Sequence, residues 1–579
     1  MRTNVKRFIG MFALSALLLS GCASIPTGGD VGKVQNSPGS TSDDFNIGYT
    51  EQPPAPNASQ QDIVRGFLDA ATGVGNNFQV AKKYLTDAAA VSWDSSERTV
   101  VYQGTPEISA TGGNSAFSAK LQVQSIVDAS GILTPAPPRS TESLKFGLTK
   151  VDGQWRINSL PDGIALATNI FTDLFRHQTL YFYDPGFRYL VPDVRWLAGK
   201  GGSAAVGVVN ALLNGPAPYL KGAVASAFPD GMRLESPTVP IENSIATVDL
   251  SAKPLLDASS TARLQMQTQL LATLQGGLNT VTGVQMRAGS DQIALGSAPQ
   301  PADALRPAAV SSRLIGVANN DLAYLDGNAV GPIAGLASVA QLGPRSPAQT
   351  YQLFAEGGAV AFLDAAQNSL YTIAPGHTVV KPVTGQKLTP PSFSPRNWVW
   401  TAEGNGSGNV YAAHPGGQNT LQTPVVSLNV DWLKGRTVTS FRISRDGTRV
   451  LIASSSNGQT QLQLAGILRQ DSTDNSAPRD LTPPTTIYWG SSAASLAYWA
   501  GENSIVLFSP GNGDVAPMDI ELAKDSDQLP VLAAMQQLSV GNSPTDLYAV
   551  DAKGKLFKSS SSAWSESPTK GIQGLAFSG

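Results

Sequence analysis

The feature that most constrains the fold of this chain is a strand and turn pattern that recurs from about residue 311 to residue 579. Each copy places a serine ahead of an apolar hairpin, and the three clearest copies are spaced about 50 to 55 residues apart. The copies are 389–402, 438–453 and 494–508, with weaker ones near residues 312, 358 and 545. Such a period with four strands per unit is typical of a β-propeller, here of about five or six blades. A pair of β-sandwiches is the alternative. Low charge (14% of residues), 57 glycines and 39 prolines also favour turn-rich β structure.

Residues 58–162 have a different pattern and predict a small α+β domain. Ser59 and Asp62 form a capping box ahead of apolar residues on one helical face, so a helix begins here. A second, short helix is predicted near residues 78–85. Strand patterns then follow, and the Asp152-Gly153 pair is a hairpin turn before the last of them. The predicted strands are 99–103, 119–127, 143–151 and 155–157.

Residues 164–297 predict a second α+β domain. A strand from residue 178 turns at Asp184-Pro185-Gly186 and pairs with the strand that begins at residue 188. Two helices are predicted, and the first of them ends at Asn214-Gly215-Pro216. The helices are 203–213 and 260–274, with a strand at 245–250 between them.

The amino terminus predicts export and lipid anchoring. A basic start, twelve apolar residues at 8–19 and the small residues before Cys22 indicate a signal peptide over residues 1–21. Leu-Ser-Gly-Cys at 19–22 matches a lipobox, and Cys22 is the only cysteine of the chain. We therefore expect Cys22 to be an S-diacylglycerol and N-palmitoyl cysteine that holds the protein on the extracytoplasmic side of the cell membrane. Residues 22–57, rich in Gly, Ser, Pro and Asn, predict a flexible tether.

Composition and motifs argue against nucleic-acid binding, metal binding and catalysis. The formal charge of −3 provides no field that could hold nucleic acid. His177, His377 and His414 are scattered, and one cysteine cannot build a thiolate metal site. No HExxH motif or Gly-x-Ser-x-Gly elbow is present. We therefore predict no enzyme activity, no catalytic or metal-binding residue and no cofactor.

The first predicted domain resembles nuclear transport factor 2-like domains. The order of strand pair, helix, Leu212-Leu-Asn-Gly-Pro216, strand and Gln-rich helix resembles the GerMN domain. Lipobox, tether, these two domains and a propeller together resemble the actinobacterial LpqB lipoprotein family. The resemblance implies an accessory regulator of a two-component sensor histidine kinase of the MtrA–MtrB type, in cell-envelope and division control. Its partner would be the extracytoplasmic domain of an MtrB-like kinase. A receptor for cell-wall glycan or peptide and an envelope hydrolase are the alternatives.

Overall fold

The computed structural model describes residues 51–579, apart from the segments given at the end of this paragraph. The predicted signal peptide, Cys22 and most of the predicted tether therefore lie outside the described residues. The remaining omitted segments are 75–76, 114, 200, 279, 294–308, 352–357, 416–423, 472–475, 491–494, 523–525 and 561.

The first domain packs short helices on one mostly antiparallel sheet with the strand order β5-β4-β2-β1-β6, and β3 pairs with β2. The predicted helix starts as expected, because the Ser59 hydroxyl accepts a hydrogen bond from the Asp62 amide at 3.2 Å. Asp152 and Gly153 both have positive φ, as the predicted hairpin turn requires. The elements are α1 (Gln60–Ala70), α2 (Gln79–Lys82), α3 (Asp87–Ser92), β1 (Arg98–Gly112), β2 (Ala116–Asp128), β3 (Leu133–Pro135), β4 (Thr141–Val151), β5 (Gln154–Ser159), β6 (Ile164–Ala167) and α4 (Thr168–Leu174).

The core of this domain extends past residue 162, where the sequence analysis places its end. Strand β6 pairs in parallel with β1, and Phe171 and Leu174 of α4 are buried in the same core. The amino-terminal side also differs from the prediction, since the Tyr84 hydroxyl donates to the Gln52 carbonyl at 2.8 Å. These contacts join residues that are distant in the sequence, so local composition does not reveal them.

The second domain contains the predicted strand pair, both predicted helices and a four-stranded sheet of order β12-β11-β10-β9. Strands β10 and β11 run parallel, with the connecting helices packed on one core that includes Phe182, Leu212 and Leu270. The elements are β7 (Phe175–Tyr183), β8 (Leu190–Ala198), α5 (Gly201–Leu213), a 3-10 turn (Pro218–Leu220), β9 (Ile241–Glu242), β10 (Ile245–Asp249), α6 (Ala252–Asp257), α7 (Ser260–Gly277), β11 (Gly283–Ala288) and β12 (Asp291–Gln292).

The carboxyl-terminal region folds into a β-propeller, as predicted, and in the described residues it has six blades. Blade I contains β13 (Leu314–Ala318), β14 (Asp321–Asp326), β15 (Ala329–Pro332) and β39 (Ile572–Ala576). Blade II contains β16 (Arg345–Gln349), β17 (Val360–Leu363), β18 (Ser369–Ile373) and β19 (Val380–Thr384). Blade III contains β20 (Ser392–Phe393), β21 (Val399–Ala402), β22 (Asn409–Ala413) and β23 (Val425–Asn429).

Blade IV contains β24 (Thr437–Ile443), β25 (Arg449–Ser456), β26 (Gln459–Arg469) and β27 (Pro478–Leu481), and β28 (Thr485–Gly490) also pairs with β26. Blade V contains β29 (Leu496–Trp499), β30 (Ser504–Phe508), β32 (Met518–Glu521) and β33 (Asp527–Gln528), beside a ribbon of β31 (Asp514–Val515) and β34 (Leu532–Ala533). Blade VI contains β35 (Met535–Val540), β36 (Leu547–Asp551), β37 (Leu556–Ser559) and β38 (Trp564–Glu566).

The ring of blades is closed by the last strand of the sequence. Strand β39 completes blade I by pairing with β13, with Ile315 opposite Ala576. The innermost strands β39, β16, β20, β24, β29 and β35 follow one another around the axis and contact their neighbours. Radial closure of this kind leaves only short inner edges, which the neighbouring blades protect from pairing with another chain.

Candidate functional site: a three-domain junction and an axial cavity

The three domains meet in one apolar cluster. Ile132 comes from the first domain, and Tyr219 and Leu220 come from the 3-10 turn after α5. They pack on side chains of blades IV and V, which include Leu451, Leu462, Leu464, Trp499 and Ile505. The Thr482 hydroxyl donates to the Tyr219 carbonyl at 2.6 Å.

A glycine permits this close approach. A Cβ atom on Gly466 of β26 would lie 2.6 Å from Ala223 Cβ and 2.7 Å from the Tyr219 carbonyl oxygen. Both distances are shorter than real Cβ contacts allow, so any larger residue would push the turn away from the propeller.

A buried ion pair on β8 connects the first domain to this turn. Asp193 and Arg195 are two residues apart on one strand, so their side chains lie on the same face. The guanidinium donates twice to the carboxylate, at 2.8 and 2.7 Å. It also donates to the carbonyl of Ser130 in the first domain, while Asp193 accepts from the Ala217 amide at 2.8 Å. Burial alone would lower the pKa of Arg195, but Asp193 together with Tyr219 and Asp128 outweighs it and the pKa is raised.

A second buried pair lies in blade IV and faces the second domain. Arg449 donates to Asp446 at 2.8 Å and to the Glu502 carbonyl at 2.9 Å, and its guanidinium lies 4.9 Å from the Trp499 ring centroid. It also reaches the Pro192 carbonyl of β8 at 3.5 Å. Burial would raise the pKa of Asp446, but Arg449 and hydrogen bonds from Thr448 and Ser444 hold it below its usual range.

A third pair connects the second domain to blade III. Asp184 begins the predicted turn, where one carboxylate oxygen accepts from the amides of Arg188 and Tyr189 at 2.6 and 2.7 Å. The other oxygen accepts from Arg396, which lies 212 positions later in the sequence. Both side chains are at most 3% exposed. Breaking a pair buried to this degree typically costs about 3 to 5 kcal/mol. The Asp184–Arg396 pair joins two domains directly, whereas Arg195 and Arg449 pair within their own domains and reach the neighbouring domain through a backbone carbonyl.

The propeller axis holds a cavity of about 400 Å³, here called the axial cavity. Its walls come mainly from the innermost strands β16, β24, β29, β35 and β39. Three arginines line it, Arg345, Arg442 and Arg445. The other principal side chains are aromatic or amide, namely Tyr351, Tyr498, Trp499, Phe577, Gln536, Gln537 and Gln573. The described lining contains no Asp, Glu, His, Lys or Cys.

The structure keeps the three histidines apart. His177 packs edge-on against Trp196 in the second domain, and His414 packs edge-on against Trp398 in the propeller. His377 follows β18 in blade II. Among the described residues, no group of three His, Cys, Asp or Glu side chains could hold a metal ion. Cys22, the predicted lipidation site, lies outside the described residues.

The ion pairs and the axial cavity are not predicted from the sequence. One signal for them was present in the recurring hairpin at 438–453, which carries Arg442, Arg445, Asp446 and Arg449 in a chain of low charge. Arg442 and Arg449 lie in the two strands of this hairpin, and Arg445 and Asp446 lie in the turn between them. Charged residues in a hairpin that is otherwise apolar indicate that they meet polar partners. The identity of those partners depends on tertiary contacts.

Comparison with known families agrees with this architecture. Residues 53–172 match the model of the LpqB N-terminal domain, residues 179–293 match a sporulation and spore germination domain, and residues 320–574 match the LpqB β-propeller domain. No helix in the described part of the chain has the length and hydropathy needed to cross a membrane.

Several lipoproteins named LpqB are similar to this chain. The Streptomyces coelicolor protein is 27% identical over 89% of this chain and 88% of its own length. The Mycobacterium ulcerans protein is 25% identical over 98% of each chain. The Bifidobacterium longum protein is 34% identical, but over only 35% of this chain and 37% of its own length. Among solved structures, a chain of a nidogen/laminin complex has a TM-score of 0.34 and 9% identity, over 46% of this chain and 98% of its own.

The fold and the family models together define a multidomain protein in which two α+β domains are docked on a six-bladed propeller. The three family models follow one another in the same order as the three domains of the structure. The chain belongs to the LpqB lipoprotein family.

Proposed function

We propose that this protein is an accessory regulator of a two-component sensor kinase of the MtrA–MtrB type, active in cell-envelope and division control. It would be anchored through Cys22 on the extracytoplasmic side of the cell membrane and would contact the extracytoplasmic domain of the kinase. Two or three acyl chains anchor a protein stably, whereas one gives only marginal binding. Confinement beside a membrane kinase raises the effective concentration, so a weak interface is sufficient.

The observation that carries the proposal is the three-domain junction. Because the ion pairs of Arg195, Arg396 and Arg449 are buried, the domains present one pre-organised surface to a partner. A pre-organised surface loses less conformational entropy on binding than three independently moving domains. A pre-organised surface is sufficient for a regulator that acts by binding its partner. An enzyme would also need catalytic side chains.

The axial cavity supports a binding role in preference to hydrolysis. The side chains of its described lining include no carboxylate, imidazole or amine that could serve as a general base near neutral pH. Burial raises the pKa of the lining tyrosine Tyr498 above the ordinary value of a tyrosine, although Arg442 opposes the shift.

The direct test is binding of the soluble chain from residue 23 onward to the purified extracytoplasmic domain of the cognate kinase. Single-domain deletions are unsuitable for locating the interface, since each would expose apolar residues of the shared cluster, such as Leu220 or Leu462. Hydrogen exchange on the intact chain, with and without the kinase domain, locates the interface instead.

We expect saturable binding and a contiguous protected surface. No binding up to high micromolar concentration would contradict the proposal and favour a receptor for cell-wall glycan or peptide. Sedimentation of the protein with purified cell wall tests that alternative. As a matched control, the variant Lys253→Gln removes an exposed i,i+4 ion pair and should leave the fold intact.

A further inference from the structure

We infer that the axial cavity binds a small organic oxyanion, a molecule that carries a carboxylate or phosphate group on a sugar-like or apolar body. The inference does not depend on the proposed contact with a kinase, because it rests only on the residues that line the cavity.

The charge of the cavity is opposite to that of the chain. The lining side chains include three arginines and no acidic residue, whereas the whole protein has a formal charge of −3. A concave site with a single sign of charge and low-dielectric walls concentrates its field and raises the local concentration of anions. Three like charges also repel one another in an empty cavity, so an anion would stabilise the site.

Arg442 lies at the wall, and it has no charged partner in the part of the chain that the structure describes. One of its nitrogens donates to the Pro391 carbonyl at 2.8 Å, and its guanidinium lies 5.0 Å from the Tyr498 ring centroid. Its Nε atom is buried and has no hydrogen-bond acceptor among the described residues. Burial lowers the pKa of Arg442, although Tyr498 and Tyr351 oppose the shift.

Arg445, like Arg442, donates hydrogen bonds to neutral groups. It donates to the Asn542 side chain at 3.1 Å and to the Gly541 carbonyl at 2.6 Å, both of which are neutral acceptors. The neighbouring Asp446 is occupied by Arg449 on the junction side. Burial lowers the pKa of Arg445 as well, although Tyr351 and Asp546 oppose it. The junction arginines, by contrast, each contact an aspartate.

The volume and lining residues of the cavity limit the size of the ligand and the groups that it carries beside the oxyanion. A volume of about 400 Å³ lies within the range of sites for small molecules. The lining residues Tyr498, Trp499 and Phe577 are aromatic, and Gln573 carries an amide that could bond a neutral polar group. A guanidinium fork fits the two oxygens of a carboxylate and those of a phosphate equally well, so both groups remain candidates.

The experiment is calorimetric titration of the soluble chain from residue 23 onward with sugars that share one ring. The probes are N-acetylmuramic acid, which carries a carboxylate, N-acetylglucosamine 6-phosphate, and neutral N-acetylglucosamine, with citrate as a probe without a ring. We expect saturable binding of at least one charged probe, with neutral N-acetylglucosamine at least about tenfold weaker. The charged sugar that binds identifies carboxylate or phosphate as the recognised group.

Two variants assign the binding to the cavity. Arg442→Gln should weaken it at least about tenfold. Arg436→Gln is the matched control, because Arg436 lies in the same blade, donates to Ser454 at 2.8 Å, and is not part of the cavity wall. If Arg442→Gln does not fold, the wild type still tests the inference, since affinity for the charged probe should fall as salt rises.

Three results would overturn the inference. The first is the absence of saturable binding for every charged probe up to about 10 mM. The second is equal affinity for neutral N-acetylglucosamine. The third is an equal effect of Arg442→Gln and Arg436→Gln on the affinity.

Discussion

Replacing Arg449 with methionine tests how much one buried charge, at the boundary between the propeller and the second domain, contributes to the free energy of unfolding. The substitution keeps the apolar volume against Trp499 but removes the partner of Asp446, which lies 2.8 Å from the guanidinium. Both side chains are at most 2% exposed. An unpaired buried charge typically costs about 3 to 5 kcal/mol. We expect a loss of about 3 kcal/mol, at the lower end, because Ser444 and Thr448 still donate to the carboxylate.

The penalty should depend on pH in a defined direction. The pKa of Asp446 in the folded protein is below its usual value, so its pairing contributes stability at neutral pH that is lost as the pH falls into the acid range. In Arg449→Met, burial raises the pKa of Asp446 without opposition from Arg449. The difference in unfolding free energy between wild type and variant should therefore shrink as the pH is lowered from 7 to about 4.

Urea unfolding followed by tryptophan fluorescence measures this difference, since Trp499 lies beside Arg449. The control is Arg313→Met, which breaks an Arg–Asp contact of 2.9 Å whose side chains are 46% and 61% exposed, and which should cost about 0 to 1 kcal/mol. Adding Asp446→Asn to Arg449→Met should restore part of the loss. The reasoning would be refuted if Arg449→Met cost no more than Arg313→Met, or if its penalty grew at low pH.

Three further predictions concern the glycines, the ring closure and the anchor. Gly66→Ala should destabilise the first domain by about 1 to 3 kcal/mol, because its Cβ would lie 2.5 Å from the Tyr84 hydroxyl. Gly207→Ala, in a helix with open space around it, should stabilise by about 0.5 to 1 kcal/mol, and thermal unfolding compares the two. Deleting residues 571–579 removes the strand that closes blade I and should abolish the cooperative unfolding of the propeller seen by circular dichroism. Cys22→Ser should move the protein from the membrane fraction to the soluble extracytoplasmic fraction in cell fractionation; retention in the membrane would contradict the predicted anchor.

Features set by neighbouring residues could be predicted from the sequence. The Ser59 cap, the Asp152-Gly153 turn and the helix end at Asn214 depend on contacts within a few residues, and the structure contains all three. The recurring hairpins predicted a propeller because each blade is a local unit of antiparallel strands. The exact blade number was left at five or six, and pairing of β39 with β13 supplies the last strand of the sixth blade.

Features set by distant residues could not be predicted. The end of the first domain was placed at residue 162, yet β6 beyond it pairs with β1 some 65 positions earlier, as Thr99 opposite Ile164. A hydrophobic strand looks the same whether it belongs to the preceding or the following domain. Sequence alone therefore locates strands better than it locates the boundaries between domains.

By itself, the sequence determined the main helices and strands, the class of each domain and the expected lipid anchor, because these depend on local periodicity and motifs. Only the tertiary structure decided that Asp184 meets Arg396 across 212 positions, and that Arg442 and Arg445 face a shared cavity. The charge of an arginine is visible in the sequence, but its partner is selected by the packing of strands from different domains. The physical consequence of that charge, as an ion pair or as a site for an anion, is therefore a property of the folded chain.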